Sequence, residues 1–275
     1  MADAAGGPPV FITDRASMEQ DLVVLSGPEG RHAATVRRLR PGERADLTDG
    51  DGMIAECVVA GARPGLLELT VLRRHVVPPP QPRICVVQAI PKGDRGEQAV
   101  ETMTEVGVDV IVPWAAERCI AVWATGGPDG PEDPGGPGGP GGPGGPGRSG
   151  KAARSQRGLD RWRATAREAS KQSRRPRIPE VTPLAGITGV IARAGLAART
   201  VVLEPGADTS LGALPLPASG EIIVIVGPEG GVSPAELVEF RAAGVVAAHL
   251  GPTVLRSSTA GTVAAAVLLS RCGRW

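Results

Sequence analysis

Two loops in this sequence carry residue types from which a ligand site can be built. The first, Gly227-Pro228-Glu229-Gly230-Gly231, follows the apolar run Ile222 to Val226 and precedes Ser233-Pro234, which reads as a helix N-cap and first helical residue. Glycines there let the backbone approach a ligand and take positive φ, and open α/β sheets bind ligands at the carboxyl ends of their strands. A tight strand-to-helix turn without a ligand would give the same string. A second G-P-E-G, at Gly27 to Gly30, reads as a turn. The other loop is Leu250-Gly251-Pro252-Thr253-Val254-Leu255-Arg256-Ser257-Ser258-Thr259-Ala260. Leu250 and Leu255 can line a slot for a flat ring such as adenine while backbone groups read its edge. Arg256 is the lone charge of that loop, and it either addresses a reacting group or lies in solvent.

Other chemistries lack their signatures. There is no G-x-G-x-x-G after a strand, no G-x-x-x-x-G-K-[ST] and no G-x-S-x-G, which argues against a standard dinucleotide fold, a P-loop enzyme and a hydrolase elbow. Cys57, Cys85, Cys119 and Cys272 form no C-x-x-C pair and have no histidine at metal spacing, so no metal and no disulfide framework are expected. His32, His75 and His249 read as structural: a turn, an exposed strand end and an edge of the core. Asp3 and nearby prolines stand where a secretory segment would need apolar residues, and the run Ala260 to Leu269 is too short for a membrane span. The expectation is a cytoplasmic protein with no membrane contact.

The elements that must position these loops follow from the apolar rhythm. Residues 10 to 77 alternate short β-type runs (Leu22 to Leu25, Arg44 to Leu47, Met53 to Val59, Leu66 to Leu72) with turns at Pro41-Gly42 and Asp49-Gly50-Asp51-Gly52, predicting a small β-barrel or sandwich. Pro78-Pro79-Pro80 marks a boundary between domains at 1–77 and 78–275. Beyond it, continuous apolar runs at Ile84 to Gln88, Val108 to Pro113, Thr200 to Glu204, Ile222 to Val226 and Val245 to Leu250 suit strands buried on both faces of a parallel sheet. Segments Glu97 to Val106, Leu159 to Ser173, Ile187 to Ala194, Ala235 to Ala242 and Ala260 to Ser270 become covering helices of an α/β domain.

One stretch fits neither domain. From Gly126 to Gly150, 13 glycines and seven prolines occupy 20 of 25 positions, a composition that buries almost nothing and predicts a disordered insertion. Just beyond, Lys151 to Arg177 carries ten basic and two acidic residues, a net of +8 in a chain whose total is +1. Leu159, Trp162, Ala166, Ala169 and Ser173 fall on one helical face there, leaving guanidinium groups on the others for solvent or for phosphates.

An ordered series of motifs then makes a resemblance specific. Val87-Gln88-Ala89-Ile90-Pro91-Lys92-Gly93-Asp94, Thr104-Glu105-Val106-Gly107-Val108, Pro113, Glu117-Arg118, Arg161-Trp162, Glu168-Ala169, Gln172-Ser173, Gly227 to Gly231, and Leu250-Gly251-Pro252 with Leu255-Arg256 resemble the RsmE family of 16S rRNA (uracil-N3)-methyltransferases, of the SPOUT superfamily. Gly27-Pro28-Glu29-Gly30-Arg31-His32 and Val36-Arg37-Arg38-Leu39-Arg40-Pro41-Gly42 extend the similarity into the first domain.

The resemblance implies a PUA-like β-barrel followed by a SPOUT-type parallel sheet with a C-terminal trefoil knot, an exception to the unknotted rule. It also implies a homodimer that binds S-adenosyl-L-methionine and methylates N3 of a uridine in 16S rRNA of the small ribosomal subunit. The cofactor would lie on Leu203, Glu204, Gly227, Pro228, Glu229, Gly230, Gly231, Leu250, Gly251, Leu255, Ser257 and Thr259. RNA would meet Arg31, His32, Arg37, Arg38, Arg40, Lys92, Arg118, Arg161, Lys171, Gln172 and Arg175. Arg256 is expected to be catalytic, stabilising negative charge on the uracil oxygens. Where the family has L-R-T-E-T-A, this chain has Leu255-Arg256-Ser257-Ser258-Thr259-Ala260, which removes a carboxylate beside the site. Two other readings stay open: a non-catalytic RNA-binding protein of this fold, and a knotted methyltransferase acting on tRNA.

Overall fold

A computed structural model of the chain describes residues 7–120, 123 and 148–275. Of the expected insertion, residues 126–147 lie outside the described residues, whereas Arg148, Ser149 and Gly150 open a helix. The chain divides into two units, residues 1–80 with 167–178, and residues 81–166 with 179–275.

The first unit is built on a curled five-stranded sheet of β1 (Val10–Ile12), β2 (Leu22–Leu25), β3 (Arg44–Thr48), β4 (Met53–Arg63) and β5 (Leu66–Val76), in the order β1-β3-β4-β5-β2. Alternation puts Met53, Ala55, Cys57 and Val59 of β4 inside, with Phe11, Leu47, Leu67 and Leu69. Two short helices, α1 (Arg15–Met18) and α2 (Gly27–Arg31), flank β2. Gly27 to Gly30, expected as a turn, is thus helical, because Pro28 suits the first helical turn and Glu29 adds a favourable negative charge to it. His32 continues α2 into a π-helical segment, His32–Val36, rather than a turn. A distant piece of chain completes the unit: Gly52 donates to the Pro176 carbonyl, Ile178 to that of Gly50, and the Arg177 guanidinium binds the Val77 carbonyl and Asp51.

The second unit is a six-stranded, wholly parallel sheet. Its strands are β6 (Arg83–Ala89), β7 (Val110–Trp114), β8 (Glu180–Val181), β9 (Arg199–Leu203), β10 (Glu221–Val226) and β11 (Val246–Ala248), in the order β11-β9-β10-β6-β7-β8. The continuous apolar runs reflect burial on both faces. On one side Cys85, Val87, Val110, Val112, Ile223 and Ile225 pack with Val190 of α5 (Ile187–Ala194) and Phe240 of α6 (Pro234–Ala242). On the other, α7 (Ser257–Arg271) packs on β6, β10 and α3 (Arg95–Val106). Helix α3 stops at Gly107, whose φ of 110° only glycine adopts cheaply. Helix α6 opens with Ser233 at the N-cap and Pro234 in its first turn, as the sequence signals, and the structure adds a capping box between Ser233 and Glu236. Helix α4 (Arg148–Gln172) starts earlier than its apolar stripe suggests; Leu159, Trp162, Ala166 and Ala169 are the buried positions of that stripe.

Candidate functional site

The sheet order brings three loops to one edge. Strands β11, β9 and β10 are neighbours and all parallel, so the segments leaving their carboxyl ends, at Leu203-Glu204, Gly227 to Gly231 and Leu250 onwards, emerge side by side. Ser257, in the first turn of α7, is tied to the second of these loops: its hydroxyl donates to the Gly227 carbonyl at 2.9 Å. The same hydroxyl accepts from Gln88 Nε2 at 3.1 Å.

Within the β10 turn the glycines have different reasons. A Cβ on Gly227 would stand 2.9 Å from Val232 Cγ2, so this glycine lets the turn close on itself. Gly231 has φ +73°. Positive φ therefore falls on Gly231 and not on Gly230, where a Cβ would meet Arg118 Cβ at 3.3 Å. Glu229 is exposed, and its Oε1 accepts from the Lys92 backbone at 3.2 Å and lies 3.8 Å from the Arg95 guanidinium. Arg118 donates to the Gly230 carbonyl at 3.1 Å. Lys92 and Arg118 both adjoin this turn, and both are exposed.

The β11 loop has the opposite character. Among the described residues, no hydrogen bond within the chain uses the backbone groups of Leu250 to Leu255. Gly251 has open space where a Cβ would project, and Leu250 and Leu255 are half-buried. Free backbone donors and acceptors beside two leucines and an unobstructed α-carbon suit the adenine end of S-adenosylmethionine, so the residues fit the group. Arg256 is exposed at the N-cap of α7 and makes no capping bond with its side chain. Ser257 and Ser258 are buried, and Thr259 is exposed. Burial lifts the Cys119 thiol, next to Arg118, to about 11, so it stays neutral and no thiolate nucleophile stands here.

The residues expected to meet RNA fall in both units. In the first, Arg31, Arg37, Arg38, Arg40 and Gln172 are exposed, His32 is half-buried against Phe11, and Arg175 is half-buried. Lys171 departs from expectation. Its side chain is 5% exposed, and its ammonium is held by Glu29 at 2.9 Å and Glu168 at 3.3 Å instead of facing outward. In the second unit Arg161 is exposed and paired with Glu97 at 3.0 Å. Sequence reasoning assigned no role to Gln88, Arg95 or Glu236. Glu236 accepts from the Glu117 backbone at 2.8 Å and so holds the Arg118 loop. A polar Gln88 closing the otherwise apolar run Ile84 to Gln88 was an available signal.

No group of His, Cys, Asp and Glu among the described residues could hold a metal ion, and no described helix is long and apolar enough to cross a membrane.

Comparison with known proteins identifies the family. An RNA methyltransferase domain model matches residues 78–129 and 147–269, and an RNA methyltransferase PUA domain model matches residues 25–72. The chain is 40% identical over 270 residues to the ribosomal RNA small subunit methyltransferase E of Mycobacterium bovis and, equally, of Mycobacterium tuberculosis, covering 97% of this chain and 93% of each relative. The crystal structure of a ribosomal RNA small subunit methyltransferase E from Neisseria gonorrhoeae bound to S-adenosyl methionine superposes with a TM-score of 0.77 at 25% identity, covering 96% of this chain and 98% of that one. The motifs, a parallel-sheet unit and a PUA-like unit in one chain, and a match spanning nearly the whole length place this chain in the ribosomal RNA small subunit methyltransferase E family.

Proposed function

We propose that this protein transfers the methyl group of S-adenosylmethionine to N3 of a uridine in 16S rRNA. Family membership supports the rRNA methyltransferase activity, and the observation that carries the site assignment is the adjacency of the β9, β10 and β11 carboxyl ends. The bound cofactor supplies a methyl group activated by its sulfonium. Leu250, Gly251 and Leu255 hold the adenine end, Leu203, Glu204, Gly227, Pro228, Glu229, Gly230 and Gly231 shape the adjoining wall, and Ser257 and Thr259 lie at its helical margin. Arg256 stabilises the negative charge that spreads onto uracil O2 and O4 as the N3 proton leaves, through charge-assisted hydrogen bonds. Its exposure leaves it free to meet the base.

The exposed arginines Arg31, Arg37, Arg38 and Arg40 of the N-terminal region, residues 1–77, serve as phosphate contacts that position the RNA. Lys92 and Arg118 do the same beside the cofactor turn in the region 78–275. We further propose that the chain is a cytoplasmic homodimer and that its last segments form a trefoil knot. The strand order supports the knot, since the chain leaves β10, crosses to β11 beyond β9 and returns as α7 to pack on β6 and α3. Half-buried Val263, Ala266 and Val267 on α7 support a self-association surface.

Mass spectrometry of 16S rRNA from a deletion strain, with and without the gene restored, tests the activity: a uridine losing and regaining one methyl is expected. Methylation of tRNA instead would redirect the substrate. Cofactor binding without turnover on any RNA would indicate a non-catalytic binder. Sedimentation should report twice the chain mass.

A further inference from the structure

Gln88 is wholly buried at the end of β6, directly opposite Val226, the residue that leads into the Gly227 turn. Its Nε2 donates to the Ala89 carbonyl at 3.0 Å and, on the other side, to Ser257 Oγ at 3.1 Å and the Ser257 carbonyl at 3.4 Å. Two carbonyl acceptors can be served only by the nitrogen end, which sets the orientation of the amide. Ser257 Oγ passes the interaction on by donating to the Gly227 carbonyl at 2.9 Å. The relay is enclosed, with Ser257 8% exposed. Helix α7 meets it at glycine contact: a Cβ on Gly261 would stand 3.2 Å from Gln88 Oε1 and 3.0 Å from Met103 Sδ.

These bonds join three segments that local structure leaves independent: the end of β6, the turn after β10 and the start of α7. The Ser257 proton is committed to Gly227, so this hydroxyl does not donate to a ligand. What it fixes is the seat of Leu255 and Arg256, immediately before it, relative to the β10 turn. We infer that Gln88 and Ser257 are positioning residues, a buried relay that holds the β11 loop and the Gly227 turn at the spacing the methyl donor requires. The inference rests on the reading of these loops as the S-adenosylmethionine site. Buried hydrogen bonds are directional and costly to leave unmade, so one missing member should let the two loops drift.

The test is calorimetric titration of the full chain with S-adenosylmethionine, beside circular dichroism of each variant. Ser257→Ala and Gln88→Met should each weaken binding by about tenfold, the scale of one lost buried hydrogen bond. Their combination should be no worse than either, because both break one relay. Ser257→Thr, which keeps the hydroxyl, should recover affinity to within about threefold. Binding by both single variants within about twofold of the parent would overturn the inference, as would fully additive losses or a threonine variant as weak as the alanine one. Should Gln88→Met fail to fold, the alanine and threonine pair at 257 decides. A parent chain that binds no S-adenosylmethionine would overturn the reading of the site itself, which separates that failure from failure of the relay alone.

Discussion

Lys171 Nζ donates to Glu29 Oε1 across 2.9 Å, from a side chain only 5% exposed, and so links the end of α4 to α2 within the N-terminal unit. Glu29 Oε2 is buried without a hydrogen-bond partner, so the carboxylate depends on this ammonium and on Arg167 at 3.9 Å. Removing one member of an enclosed pair leaves the other charge uncompensated. Lys171→Ala should therefore cost roughly 2 kcal/mol, less than the fully buried limit because Glu29 keeps some solvent. Denaturant unfolding would measure it. A loss of RNA affinity at unchanged stability would instead return Lys171 to the phosphate contacts.

Two glycines of the candidate site should separate folding from binding. Gly231, at φ +73°, cannot accept a side chain without strain of about 1–2 kcal/mol, so Gly231→Ala should lower the unfolding midpoint and weaken the cofactor together. Gly251 has open space at the missing Cβ, so Gly251→Val should leave the midpoint unchanged yet reduce S-adenosylmethionine affinity by about tenfold or more, as a branched side chain fills the ligand's place. Unchanged affinity in Gly251→Val would move the adenine end elsewhere.

Arg256 should act on the rate and not on cofactor capture. With a donor to the developing negative charge lost, Arg256→Ala should slow single-turnover methylation of small-subunit RNA by on the order of a hundredfold, with cofactor affinity changed only a fewfold. Lysine should restore little, because it keeps the charge without the planar fork. If the cofactor is lost while residual complex reacts normally, Arg256 is a binding residue.

Asp46 predicts a pH-dependent gain. Burial raises its pKa above 3.8, opposed by Arg44 and assisted by Glu56, with His75 and Arg174 as the other charged neighbours, and Asp46 Oδ1 is buried without a partner. A raised carboxyl pKa means that its contribution to stability is full below 3.8 and lost as pH rises through the folded value. At neutral pH the ionised group opposes folding. Asp46→Asn should accordingly raise the unfolding midpoint at pH 7, with the gain disappearing as pH falls below about 4. A variant less stable than the parent at pH 7 would show that the negative charge is needed against Arg44.

The sequence by itself determined the places where local rules suffice. Continuous apolar runs announced β6, β7, β9 and β10, alternation announced β4, and Ser233-Pro234 announced the start of α6, because periodicity and capping depend on neighbours within a few residues. The series of motifs was enough for the family. Only the tertiary structure decided what each polar side chain faces. Lys171 meets Glu29 across 142 positions of chain and Gln88 meets Ser257 across 169, pairings set by the order in which strands and helices pack and by nothing in the local pattern. The same holds for the strand order that sets β11 beside β9, and for the return of residues 167–178 to the N-terminal sheet. A basic residue on a helix reads alike whether it faces a phosphate or a buried carboxylate, since charge is written in the sequence and its partner is chosen by folding.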